Sequence, residues 1–472
     1  VGNSTEKKAK RARGVVDTPA AVDSLSIEPY VEGLSRFIAD CQTPMTIAVQ
    51  GDWGTGKTNM MLLAERELAP HGHFRLSDPP EDAPAVKATT PHGDPASPIY
   101  TIRFNTWQYS QFDMASRLIP SLLENIGAHL LLADPGRGKG DKRAAFLRSL
   151  VPVASTAGLS ILKAGLGAVG LAPLGVIVND VHSAYDVSRA DRAVTAEDTA
   201  AVLMQVKGKF AEAVEELVTP DEADSKASPG RVVVFIDDLD RLEPRKAVEL
   251  MEALKLFLDV EHCVFILAID FAVVEQGVGA KYGAAMDRVK ARSFFDKIIQ
   301  VPFQMPTAAY QISGLLDELI KSTGLALKPE DTKTFLELIQ LSVGSNPRSI
   351  KRLINTFMLL RDIAGIADRI KNGEGRIAEV RNSELFAVLC LQTAYPDAYL
   401  DILENGGEDS DLFKHYFLNL DSEDEAHQEA HQAEQATVEW EKKLAEVGIE
   451  ATGHRFSQLA ARIAGSSELR WV

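Results

Sequence analysis

The stretch "QGDWGTGKTNMM" (50–61) decides how the rest of the chain is read. Gly51 to Thr58 fit the spacing G-x-x-x-x-G-K-[ST]. Ahead of it "MTIAVQ" (45–50) is an apolar run of the kind a buried parallel strand presents, and "NMMLLAEREL" behind it predicts a helix. Strand, glycine loop and helix in that order make a phosphate-binding turn. The glycines let consecutive N–H groups point at phosphate oxygens, and the helix N-terminus adds partial positive charge. Lys57 supplies a point charge toward the β- and γ-phosphates, and the Thr58 hydroxyl is a ligand for Mg²⁺. Gly51, Gly54, Thr55, Gly56, Lys57, Thr58 and Asn59 are the expected nucleotide contacts.

Such a loop needs acids opposite it, and "RVVVFIDDLDRLEP" (231–244) supplies them. Its apolar half predicts a buried strand, which stops abruptly at Asp237-Asp238-Leu239-Asp240-Arg241. Acids at the C-terminal tip of a parallel strand face the ligand crevice. Asp237 is expected to serve Mg²⁺ and Asp238 to activate water, with Asp240 able to share either role. "HCVFILAID" (262–270) is a second apolar strand ending in an acid. Asp270 stands there either as a sensor of the γ-phosphate or as the N-cap of the next helix. "KIIQVPF" (297–303) predicts a further strand, and "PIYTIRFN" (98–105) another, whose end presents Asn105, Trp107 and Tyr109 at the crevice, with packing the preferred role for Trp107.

Taken in order, "GDWGTGKT", "RFNTWQYSQ" (103–111), "VVVFIDDLDRLEP", "FILAIDFAVVEQGV", "FFDKIIQVPFQMP" (294–306) and "NPRSIKRLIN" (346–355) resemble the KAP family of P-loop NTPases over roughly 25–400. The resemblance implies an α/β fold of the additional-strand class: a central parallel sheet with 262–269 between 45–50 and the Walker B strand 231–237. It also implies a large helical insertion and a C-terminal helical lid whose arginine reaches the γ-phosphate. Arg348 is the best match for that arginine, ahead of Arg352; Arg241 is a further candidate, in the same chain or as a finger across an oligomer interface. ATP rather than another nucleotide rests on the resemblance as well.

The expected organisation is a basic N-terminal tail (1–24), a P-loop core (25–308) with an insertion at 112–225, a helical lid domain (309–400) and an acidic helical extension (401–472). Within the insertion, 151–178 is apolar, rich in Gly and Ala, and broken by Lys163 and Pro173. KAP-like proteins often span a membrane at this point, but small residues add little transfer energy, so the soluble reading is preferred. His427 and His431 stand one helical turn apart, and a solvated face is their expected role.

Net charge −17 argues against a broad nucleic-acid surface while leaving room for a local basic patch. Three scattered cysteines give neither a disulfide framework nor a zinc site, which fits a reducing compartment. The expectation is a cytoplasmic, Mg²⁺-dependent ATPase, a switch or assembly engine working with protein partners and as an oligomer. The resemblance points to antiphage defence. Alternatives are a nucleotide-gated scaffold with little turnover, an inner-membrane-associated signalling NTPase through 151–178, or a small-substrate kinase, the last disfavoured because no second substrate loop is evident.

Overall fold

The computed structural model describes residues 14–17, 23–71, 73–77, 97–107, 118–133, 140–150, 196–219, 229–255, 259–282, 288–325, 327–372, 382–397 and 399–400. These fall into two compact units, one over 27–306 and one from 307 onward that includes residues 14–17 and 23–26.

The first unit runs α1 (Glu28–Asp40), β1 (Met45–Gln50), α2 (Lys57–Glu67), β2 (His73–Arg75) and β3 (Ile99–Asn105). Then come α3 (Leu118–Leu132), α4 (Asp141–Ser149), α5 (Ala196–Val218), β4 (Arg231–Asp237) and α6 (Pro244–Lys255). It ends with β5 (Cys263–Ile269), α7 (Phe271–Tyr282), α8 (Arg288–Asp296) and β6 (Val301–Gln304). The six strands form one sheet in the order β2-β3-β4-β5-β1-β6, every neighbouring pair parallel. β5 thus lies between β1 and β4, the additional strand that the resemblance implies. Val232 to Ile236 and the whole of β5 are buried. A strand with no polar alternation has no solvent face to offer and must be covered on both sides.

Register aligns the strand tips. Asn105 pairs with Asp237, and Gln50 with Ile269. The loop 51–56, Asp237, Asn105 and Asp270 therefore gather at the carboxyl edge of the sheet, where open α/β folds bind ligands.

The last strand is shorter than the sequence implies. Ile298 and Ile299 are buried in the core, and their N–H groups return to the Phe295 carbonyl. These apolar residues are used in a turn at the end of α8, and pairing with β1 begins at Val301.

The described parts of the insertion, α3, α4 and α5, pack on one another. Arg143, 2% exposed, donates to the Leu130 and Ala133 carbonyls at the end of α3 and pairs with Glu216 at 3.4 Å. It thereby satisfies carbonyls a helix end leaves open. Among the described residues no helix is long and apolar enough to cross a membrane. The segment 151–178, the pair His427 and His431, and the extension 401–472 lie outside the described residues.

The second unit holds α9 (Ile312–Thr323), α10 (Pro329–Leu341), α11 (Pro347–Asn372) and α12 (Asn382–Ala394). Three buried rings join the last three helices. Phe335 stacks on Phe386 at 3.8 Å, and Phe357 meets both edge-on. Asn355 exchanges two hydrogen bonds with the Val15 backbone, and Gln311 N–H donates to the Leu25 carbonyl.

Candidate nucleotide site

The glycine loop is shaped by positions no other residue fills easily. Gly54 and Gly56 have φ of +86° and +97°, in the left-handed region. A Cβ on Gly51 would lie 2.7 Å from Thr55 Oγ1 and 3.0 Å from Met305 Cγ. Gly56 ends the loop as the N-cap of α2 without a side-chain cap, leaving the first turn of that helix to an external partner.

Lys57 opens α2 and curls back over the loop. Its Nζ donates to the Gly51 carbonyl at 2.7 Å and the Asp52 carbonyl at 3.1 Å. It also lies 2.6 Å from Asp240 Oδ2, both side chains being nearly buried at 7% and 6%. This third contact is a close, nearly buried ion pair. Asn59 carries a buried Oδ1 that accepts no hydrogen bond.

Across the crevice Asp237 is buried, with 7% of its surface exposed. Burial first, and then the Asp238 carboxylate, push it up to about 6, while hydrogen bonds from the Thr58 hydroxyl and the Asp238 N–H hold it back. A buried carboxylate next to a threonine hydroxyl is a hard-oxygen pair whose ionised form gains from a divalent cation. These residues fit Mg²⁺, which takes one or two protein oxygens and completes its shell with phosphate and water. Among the described residues no cluster of three His, Cys, Asp or Glu side chains is placed to hold a metal by itself.

Asp238 sits in the left-handed region at φ 59°, a conformation Asp tolerates. One carboxylate oxygen accepts from Asn105 Nδ2 at 3.0 Å; the other pairs with Arg241 Nε at 2.7 Å. The Asn105 Oδ1 in turn accepts from the Trp107 N–H. Arg241 lies over the Trp107 ring, 4.9 Å from its centroid. Trp107 is 40% exposed and serves as a platform for a guanidinium, the crevice-side position of the two considered and not the preferred packing role.

Asp270 accepts from the Ala272 N–H at 2.9 Å and so caps α7, the second of the two roles considered for it. Arg348 stands in the first turn of α11 within the helical unit, where its Nε pairs with Asp17; Arg352 is exposed. The structure thus brings Lys57, Thr58, Asp237, Asp238, Asp240 and Arg241 into one constellation.

Glu65 was not among the residues anticipated from the sequence. It is fully buried on α2 and holds Thr101 Oγ1 at 2.5 Å, Arg103 Nε at 2.7 Å and Arg75 Nη2 at 3.2 Å. Burial alone would raise its carboxyl, but Arg103, His73, Arg75 and Thr101 together hold it well below the usual range. The cluster fastens the helix after the loop to β2 and β3. The available signal was a charged residue beside apolar ones in three short runs, "LLAER", "HFR" and "TIRF".

A model of the KAP family P-loop domain matches residues 27–364, well over half of the chain. The phage T7 exclusion protein of Escherichia coli (strain K12) is 21% identical over 360 residues, which cover 72% of this chain. The match covers 43% of that protein, so the chain spans about two fifths of its relative's length. With a glycine loop at the tip of β1, acids at the tip of β4 and a family match that includes both, the chain belongs to the KAP family of P-loop NTPases.

Proposed function

We propose that the chain binds Mg²⁺-ATP in the loop 51–58 and hydrolyses it, and that the cycle switches a larger complex. The observation that carries this reading is the meeting of Lys57, Thr58 and Asp237 at the carboxyl edge of one parallel sheet. Lys57 and the N–H groups of the loop and first helical turn would hold the phosphates. Bound Mg²⁺ would offset phosphate charge from the side of Thr58 and Asp237. Asp238 is the acceptor for a proton from attacking water, and Arg241 and Arg348 are the candidates for charge developing on the transferred group. In this reading 309–400 is the lid that carries Arg348, 1–24 a basic tail and 401–472 an acidic extension. The similarity to a phage exclusion protein supports an antiphage setting. Protein partners, an oligomeric working form and a cytoplasmic location belong to the same proposal.

A second reading, a nucleotide-gated scaffold with little turnover, draws on the engagement of Asp238 by Asn105 and Arg241. Phosphate release with ATP, with and without Mg²⁺, tests both. The ATPase reading expects Mg²⁺-dependent turnover in the parent. In Asp238→Asn it expects binding to persist and turnover to fall about a hundredfold or more. Tight ATP binding with no release from the parent under any condition would favour the scaffold.

A further inference from the structure

The turn 238–241 neutralises the residues that would do the chemistry. Asp240 occupies the charge of Lys57, and Arg241 occupies Asp238. Both ions of the first pair are nearly buried, so water offers Lys57 little alternative. The backbone of the turn is anchored, because Leu239 is fully buried and Leu242 nearly so. Any change there is a change of side-chain partners. An ammonium has three hydrogens, and Lys57 spends two on the Gly51 and Asp52 carbonyls. A phosphate oxygen arriving at Lys57 therefore meets a carboxylate already there, and two anions against one cation in a buried site repel strongly.

We propose that Asp240 is a built-in competitor for phosphate at Lys57, and that phosphate binding passes Asp240 to its neighbour Arg241, which leaves Asp238 and the Trp107 ring. This rests on the reading of 51–58 as the phosphate loop. Charge balances through the exchange. Before it, the pairs are Lys57 with Asp240 and Arg241 with Asp238; after it, Lys57 with phosphate and Arg241 with Asp240. Asp238 loses the Arg241 guanidinium and keeps the Asn105 amide, and its carboxylate is then placed to accept a proton. Nucleotide binding thus unmasks the water-activating carboxylate, and an empty site keeps it occupied.

The test measures the affinity of the full chain for Mg²⁺-ADP by calorimetry, and follows Trp107 by fluorescence in a Trp53→Phe background. Asp240→Asn keeps the shape and removes the charge, so affinity should rise about tenfold or more. Mg²⁺-ADP should change Trp107 emission in the Trp53→Phe protein; the change should vanish in Trp53→Phe/Trp107→Phe. It should also vanish in Trp53→Phe/Asp240→Asn even at saturating nucleotide. Equal or weaker affinity in Asp240→Asn overturns the competitor. A retained Trp107 response in the Asp240 variant overturns the hand-over to Arg241. Should Asp240→Asn fail to fold, absence of any Trp107 response to nucleotide in the Trp53→Phe protein overturns the exchange by itself. Lys57→Ala, run alongside, separates the two levels: unchanged affinity there means the phosphate loop was misread, whereas lost affinity with no gain in Asp240→Asn sinks the competitor alone.

Discussion

Glu65→Gln should loosen the P-loop unit without touching the crevice. The side chain is fully buried and its carboxylate answers Arg103, Arg75 and the Thr101 hydroxyl. Gln keeps the shape and one acceptor but leaves the Arg103 and Arg75 guanidinium groups, 8% and 20% exposed, without their counter-charge. Removing one partner of a buried ion pair typically costs about 3–5 kcal/mol. Arg103 retains its place over the Phe235 ring at 4.9 Å, which argues for the lower end. At about 3 kcal/mol per molar urea, a slope in keeping with a unit of this size, the urea midpoint should fall by about 1 M. With Trp440 and Trp471 replaced by Phe, tryptophan fluorescence reports the transition through Trp53 and Trp107, both in this unit. The pH dependence has a definite sign. Glu65 is held below its ordinary value of 4.5, so its stabilisation is complete above that pH and fades as pH falls below it. The gap between parent and variant should therefore be full at pH 7 and shrink below about pH 4.5. An unchanged midpoint at pH 7, or a gap that widens in acid, would refute the role given to Glu65.

Arg348→Ala should reduce the preference for ATP over ADP and slow turnover, while Arg352→Ala does less; paired nucleotide affinities at one salt concentration decide it. Phe386→Ala removes the ring stacked on Phe335 and should destabilise the helical unit by about 3–5 kcal/mol, read as a lower unfolding midpoint by circular dichroism. Chelation of Mg²⁺ should abolish phosphate release, and a rate unchanged in excess chelator would remove Thr58 and Asp237 from a metal role.

Much of the fold was legible because its strands are buried on both faces. Runs such as Val232–Ile236 and Val264–Ile269 fit little else, and a glycine loop directly after such a run fixes which edge carries the site. The position of β5 between β1 and β4 came from resemblance, since the order of parallel strands is not written in any one of them. The polar cross-connections were not legible. That Asp240 reaches Lys57 depends on a one-turn 3₁₀ segment started by a left-handed Asp238. That Asn105 reaches Asp238 depends on the register of β3 on β4. Trp107 illustrates the same limit: its type favours burial, yet its neighbour is a guanidinium delivered from 134 positions on. Glu65, Arg75 and Arg103 look like three unrelated charges until the sheet stacks them.

The central claim is that 51–58 is a phosphate cradle whose fixed cation is Lys57. Calorimetric titration of Mg²⁺-ATP into the parent chain and into Lys57→Ala tests it most directly. The parent should bind one nucleotide per chain, and the variant should lose a hundredfold or more in affinity, about 3 kcal/mol, because the loop loses the ammonium its carbonyls hold in place. Equal affinity in the two proteins would contradict the account.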